Sequence, residues 1–352
     1  MRRTLATLAA TAVAASTVVL AVPANAAETI PGGGASFPYP IIQACVQDFN
    51  ASQSNFTVSY QSTGSGTGKS NFTKGTFVYA QTDSSYNGKG EPSFGWTYVP
   101  NIGGAIAFPI NLKSTTTKRT LGSSIQLKQV TLAKLLSGNL KSWRAPEILN
   151  DNPRIAASIP DVPVTVVYRS GNSGTSNNTL QYLNSWAPTI WSKVQDDFST
   201  AFPGSRPPAN SLSAKDSASL IATVNATPGA IGYVDFSDAK GYPTARIQNA
   251  LGEFVAPSTA SASKNLVTQT NVGANGFVQL NYNVKKPGAY PAAIFSYGLI
   301  RLDGMGPNGL GVQQFERYLV EKCAPAKAAS LGYVAVGGPV RAKAVQLISK
   351  IK

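Results

Sequence analysis

Three short runs rich in glycine, serine and threonine carry the chemistry of this chain: GGGASFPYP at 32–40, STGSGTGKS at 62–70 and RSGNSGTSNN at 169–178. Each stands where a helix is predicted to begin. The first N–H groups of a helix have no intrahelical partner, and the helix dipole adds positive potential there. Hydroxyls placed beside them make an oxyanion site. Ser36 and the N–H of Phe37 offer donors from the first run, and Ser65 from the second. Ser173, Gly174 and Thr175 offer them from the third. Arg169, four residues before that Ser-Gly-Thr, adds a planar fork suited to two oxygens at once. Asp83 is the odd member. A carboxylate repels an anion unless the anion still carries a proton. Phosphate carries one and sulfate near neutral pH does not. One acceptor among donors therefore selects phosphate over sulfate.

These residues must be held by something, and the hydrophobic pattern says what. Strands are predicted at 56–61, 76–80, 102–112, 162–168, 229–236 and 291–301. Helices are predicted at 38–50, 131–137, 179–191, 213–225, 313–322 and 340–352. The segments 84–96 and 201–212 read as loops. Asp83 thus falls just past a strand end, the edge where open α/β sheets bind ligands. Strands alternate with helices, so the class is α/β. At 352 residues two lobes are expected, with the anion site between them.

A single Gly/Ser turn before a helix is ordinarily only an N-cap. A lone Asp83 would be a turn aspartate and a lone Arg169 a surface ion pair. The reading rests on all of them standing at strand-to-helix junctions of one chain. STGSGTGKS superficially resembles a P-loop but lacks its GxxxxGK[ST] spacing.

Composition narrows the function further. The chain has no histidine, which removes Ser-His-Asp and Cys-His catalysis and histidine-ligated metals. Ser173 as a nucleophile would then need a lysine or carboxylate base, and none can be located. No metal or cofactor is expected. The net charge is +14, but lysines and arginines are scattered, so nucleic-acid binding is not expected. The start of the chain reads as a cleaved signal peptide, residues 1–26. It has Arg2 and Arg3, an apolar run at 5–22 and a small-x-small site at Ala24-Asn25-Ala26. No cysteine follows the apolar run, so a lipid anchor is not expected, and the protein would be secreted or periplasmic. The two cysteines, Cys45 and Cys323, are expected to pair in such a compartment. Closing nearly the whole chain would stabilise it by about 4–5 kcal/mol.

GGGASFPYP, YQSTGSGTGK, a strand ending before Asp83, VVYRSGNSGTS and PGAIGYVDF occur in this order between about residues 30 and 301. Together they resemble the phosphate-binding proteins of bacterial Pst-type ABC transporters. The resemblance implies a type II periplasmic-binding-protein fold, each lobe a mixed sheet flanked by helices. It places residues 27–112 and 290–352 in the first lobe and 113–289 in the second, with a ligand cleft between them that closes on binding. It implies a phosphate ligand set of Ser36, Phe37, Ser65, Asp83, Arg169, Ser173, Gly174 and Thr175. It also implies an ABC permease as membrane partner, a monomeric state and no catalysis. An exported phosphatase or related hydrolase on the same fold is the alternative. One departure stands out. Many family members carry an acidic residue two positions after the arginine to orient it, and here that position is Gly171.

Overall fold

A computed structural model describes residues 27–352, so the expected signal peptide at 1–26 lies outside the described residues. In chain order the strands are β1 (Glu28–Gly34), β2 (Phe56–Ser62), β3 (Tyr79–Thr82), β4 (Trp96–Ala107), β5 (Gln126–Leu127), β6 (Thr165–Arg169) and β7 (Leu212–Ala214). They continue with β8 (Ala230–Gly232), β9 (Val234–Asp235), β10 (Arg246–Gln248), β11 (Phe254–Val255), β12 (Ala293–Arg301) and β13 (Val334–Ala335).

FTVSYQS in β2 buries alternate side chains, as expected of an edge strand with one wet face. AIFSYGLIR in β12 is buried almost throughout, as expected of a strand covered on both faces. These strands belong to one seven-stranded sheet in the order β13-β4-β12-β3-β1-β2, with β9 paired to β4. β1 runs parallel to β2 and β3, whereas β12 runs antiparallel to β3 and β4. Two three-stranded sheets lie elsewhere, β7-β6-β8, all parallel, and β11-β10-β5. The stretch around 259–290 packs on the large sheet. Tyr290 donates its hydroxyl to the Ile106 carbonyl at 2.8 Å, and the Phe277 and Tyr297 rings stack at 4.9 Å.

Several predicted boundaries move, each for a local reason. The strand predicted at 76–80 is Tyr79–Thr82, because the N–H groups of Thr76 and Phe77 close onto the Asn71 carbonyl at 2.9 and 3.2 Å. The strand predicted at 102–112 is Trp96–Ala107. It absorbs Pro100 at a bulge, where Tyr297 pairs with Pro100 and Ser296 with Ile102, so Asn101 is the extra residue. The helix predicted at 313–322 runs Pro307–Tyr318, with proline in its first turn, and continues through a wide turn at Leu319–Cys323. Ser65–Thr73 is helical although its Ser, Gly, Thr and Asn are weak helix formers. Phe72, buried against the Phe94 ring at 5.5 Å, fastens it by packing.

Cys45, on the buried stripe of the helix Tyr39–Ser52, is bridged to Cys323, with Cα atoms 5.8 Å apart. The bridge spans 278 residues and joins two helices that pack on the same large sheet. Reduction, or Cys45→Ser, should therefore lower the thermal midpoint, with a stability loss of about 2–5 kcal/mol. Ligand affinity should stay within about twofold, because both bridged helices pack on the same sheet and the bridge makes no contact with the candidate site residues. Paired calorimetric scans and titrations of oxidised and reduced protein check both parts.

Candidate functional site

Each of the candidate residues follows or closes the C-terminal end of a strand that has a parallel partner. β1 ends at Gly34 and delivers Ser36 and Phe37; β2 ends at Ser62 and delivers Ser65. β3 ends at Thr82 and delivers Asp83, and β6 ends with Arg169 itself. The helix Gly174–Trp186 follows, capped by Ser173. The structure brings these residues to one place. Arg169 Nη1 donates to Ser36 Oγ at 3.3 Å, linking residues 133 apart in sequence. Ser65 Oγ donates to Asp83 Oδ2 at 3.4 Å and accepts from the Asp83 N–H at 3.2 Å. Asn178, one turn into the capped helix, donates to the carbonyls of Asp83 and Gly174.

Gly174 explains how close the two sides come. A Cβ there would lie 2.5 Å from Ser65 Oγ and 2.6 Å from Asp83 Cβ. Only a residue without a side chain lets this helix start meet Asp83. Ser173 Oγ accepts from the Ser176 N–H at 3.3 Å as the cap, which leaves its own proton free to donate. Phe37 is buried, its ring 5.4 Å from that of Tyr333, whose hydroxyl donates to the Phe37 carbonyl at 2.8 Å. The C-terminal part of the chain thus braces the first turn.

Asp83 is 2 % exposed, and its buried Oδ1 has no hydrogen-bond partner among the described residues. Burial pushes its pKa up to about 7, against the pull of the Ser296 and Ser65 hydroxyls and of Arg169, with Asp196 adding to the rise. It is an acceptor with a lone pair to spend, set among donors.

Arg169 is 4 % exposed and is held without an acid at position 171. Gly171 has φ +75°, and a Cβ there would meet nothing within 4 Å. The holding groups come from the turn after β7, the helix start at Ser217 and the residue between β8 and β9. Tyr233 Oη accepts from the Arg169 N–H at 3.0 Å, the Lys215 carbonyl accepts from Nε at 3.3 Å, and Ser217 Oγ accepts from Nη1 at 3.4 Å. Behind them lies Asp235, fully buried, accepting from Ser217 Oγ at 3.3 Å and from Thr175 Oγ1 at 3.2 Å. Burial and the nearby Asp238 and Asp83 raise its pKa well above the carboxylate range, while Arg169 opposes the rise. Burial likewise lifts Asp238 to about 6.

The sequence pattern singled out neither Ser217 nor Tyr233 nor Asp235. Tyr233 and Asp235 lie inside the GAIGYVDF run, whose glycine and strand signal was visible. Ser217 sits in the first turn of the helix Ser217–Ala226, which Asp216 caps, and nothing local marks it as a support for Arg169.

Residues 21–322 match the PBP superfamily domain. The phosphate-binding protein PstS of Pasteurella multocida is 30% identical over 256 residues, covering 70% of this chain and 69% of the relative. A Pseudomonas aeruginosa protein called alkaline phosphatase L is 28% identical over 274 residues, 71% of each chain. Among solved structures, a high-affinity periplasmic phosphate-binding protein bound with phosphate superposes with a TM-score of 0.70 at 21% identity, covering 89% of this chain and 92% of that one. The fold is therefore the two-lobed, type II periplasmic-binding-protein fold. The chain belongs to the PBP superfamily and, within it, to the family of the PstS phosphate-binding proteins.

Proposed function

We propose that this protein is an exported receptor that captures inorganic phosphate in the cleft and delivers it to an ABC permease. The observation that carries the reading is Asp83: a buried carboxylate with an unpartnered oxygen, facing Arg169, Ser36, Ser65 and the donor-rich start of the helix Gly174–Trp186. Such a site accepts one proton from its ligand and donates to every other oxygen. Dibasic phosphate, with its single P–OH, matches that pattern, and sulfate leaves Asp83 unpaired and repelled. The ligand set we propose is Ser36, Phe37, Ser65, Asp83, Arg169, Ser173, Gly174 and Thr175. Asp235 and Ser217 support it from behind.

The arrangement binds without reacting. The Ser65 and Thr175 hydroxyls donate to the Asp83 and Asp235 carboxylates, the other hydroxyls are offered as donors, and the chain has no histidine to serve as their base. The relative called alkaline phosphatase L is similar to the PstS proteins in the same way as this chain, so its name does not favour hydrolysis here. No helix among the described residues is long and apolar enough to cross a membrane, which suits a receptor that meets its permease at the surface.

Calorimetric titration with phosphate, a sulfate control and a phosphomonoester hydrolysis assay test the proposal. Phosphate should bind at micromolar concentration or below, sulfate far more weakly, and no hydrolysis should be seen. Equal binding of the two anions would refute the role of Asp83. Gly174→Ala should weaken phosphate by roughly 5- to 150-fold, since forcing a methyl into a packed contact costs about 1–3 kcal/mol. A folded Gly174→Ala protein with unchanged affinity would show that the closed cleft does not need this contact.

A further inference from the structure

Lys69 lies outside the proposed ligand set, yet it is bonded to the segment that follows Asp83 and to the residue that holds the Ser173 N–H. It sits on the helix Ser65–Thr73, one turn beyond Ser65. Its ammonium has three protons, and three partners surround it. Nζ donates to Ser84 Oγ at 3.0 Å and to the Ser85 carbonyl at 2.8 Å, in the segment that follows Asp83. It also donates to Asp196 Oδ2 at 2.7 Å, on the opposite side of the cleft. Asp196 is fixed in its own lobe: its other carboxylate oxygen accepts from Asn177 Nδ2 at 2.9 Å, and its carbonyl accepts from the Ser173 N–H at 3.0 Å. Both side chains are only 12% exposed. Outside the pair opens a cavity of about 1050 Å³, lined by Lys69, Tyr86, Asn172, Asn177 and Asp196 among others.

We propose that Lys69 is a positioning residue for phosphate capture, a cross-brace that ties the segment after Asp83 to the segment that holds Ser173 only when the cleft is shut. This rests on the phosphate-receptor reading. The brace is selective for the closed form because of solvation. With the cleft shut, each charge is nearly dry and compensated by the other. With the cleft open, both face water and need no partner. Removing one partner therefore leaves an uncompensated buried charge in the closed form alone, and the equilibrium moves toward open. A receptor that opens more readily loses its ligand faster, whereas capture by the open form is scarcely touched.

Stopped-flow binding of inorganic phosphate to wild type, Lys69→Met, Asp196→Asn and the double variant tests this. The dissociation rate should rise at least about 30-fold in either single variant, with the association rate constant within about threefold of wild type. The double variant should release phosphate no faster than the worse single one, because the second change removes the charge the first left unpaired. The thermal midpoint of the phosphate-free protein should stay near that of wild type in all variants. An unchanged dissociation rate overturns the brace. So does a joint fall of association rate and phosphate-free midpoint, which would make Lys69 an ordinary folding contact. If Lys69→Met does not fold, Asp196→Asn alone decides between these results. A wild-type protein that takes no phosphate overturns the receptor reading, and the brace with it.

Discussion

Arg169→Ala should weaken phosphate binding by about 2–5 kcal/mol, roughly 30- to 5000-fold, the range for truncating one partner of a buried charge pair. Two losses combine. The bidentate charge-assisted contact disappears, and the remaining charges around the site change balance. Arg169 is the positive group that offsets Asp83, Asp235 and Asp238, whose carboxyl groups are all raised by burial. Without it those carboxyls hold their protons more tightly, and any charge they keep repels the ligand. Titration calorimetry of Arg169→Ala and Arg169→Lys separates the two. Lysine restores the charge but not the fork, and should recover only part of the loss. An unchanged dissociation constant in Arg169→Ala would remove the arginine from the site.

Asp83→Asn should collapse the discrimination between phosphate and sulfate. A site built around a hydrogen-bonding partner rejects an analogue lacking it by about 10⁴-fold. The asparagine amide can turn its donor toward sulfate, so most of that ratio should vanish, with phosphate weakening and sulfate strengthening. The pH dependence carries a sign. Below about pH 7 Asp83 is neutral in the empty protein and can itself donate, so sulfate should bind better as pH falls from 7 to 5. In Asp83→Asn that trend should be gone. The same shift acts on stability. Because burial raises the folded pKa above the unfolded value, the contribution of Asp83 is fully present below about pH 4 and is lost as pH rises through 7. Phosphate-free Asp83→Asn should thus melt higher than wild type at pH 7.5 and about equally at pH 4. A sulfate affinity flat from pH 5 to 8 in wild type would contradict the assignment.

The donors were legible in the sequence because their signal is local. Glycine and hydroxyl residues at a strand-to-helix junction announce themselves within ten positions, and the alternation of apolar runs gave the α/β class. The supports were not legible. Ser217 and Tyr233 reach Arg169 from 48 and 64 residues away, with Asp235 behind Ser217, and each is an unremarkable residue in its own segment. Tyr333 reaches Phe37 across 296 residues. The run at 62–70 is expected to open a helix, but no apolar stripe there gives that helix its extent, and tertiary packing of Phe72 fixes Ser65–Thr73. Lys69 was invisible for the same reason. Its meaning depends on a partner 127 positions away.

The place of β12 in the large sheet sets an order of events in folding. β12 comes after residue 290, yet it lies between β3 and β4, and β13 lies beyond β4. β3 and β4 do not pair with each other; β12 lies between them and joins one to the other. A chain emerging from its N-terminus can therefore assemble β1, β2 and β3, but cannot close the sheet until almost all of it has been made. Pairings this distant in sequence form slowly, because loop closure precedes any compensating contact. Asp83 hangs from the end of β3, so half of the site waits on late residues, of which Ser296 and Tyr333 act on Asp83 and Phe37. A truncation before residue 293 should leave the β6–β7–β8 unit with its full set of strands and Asp83 with no fixed position.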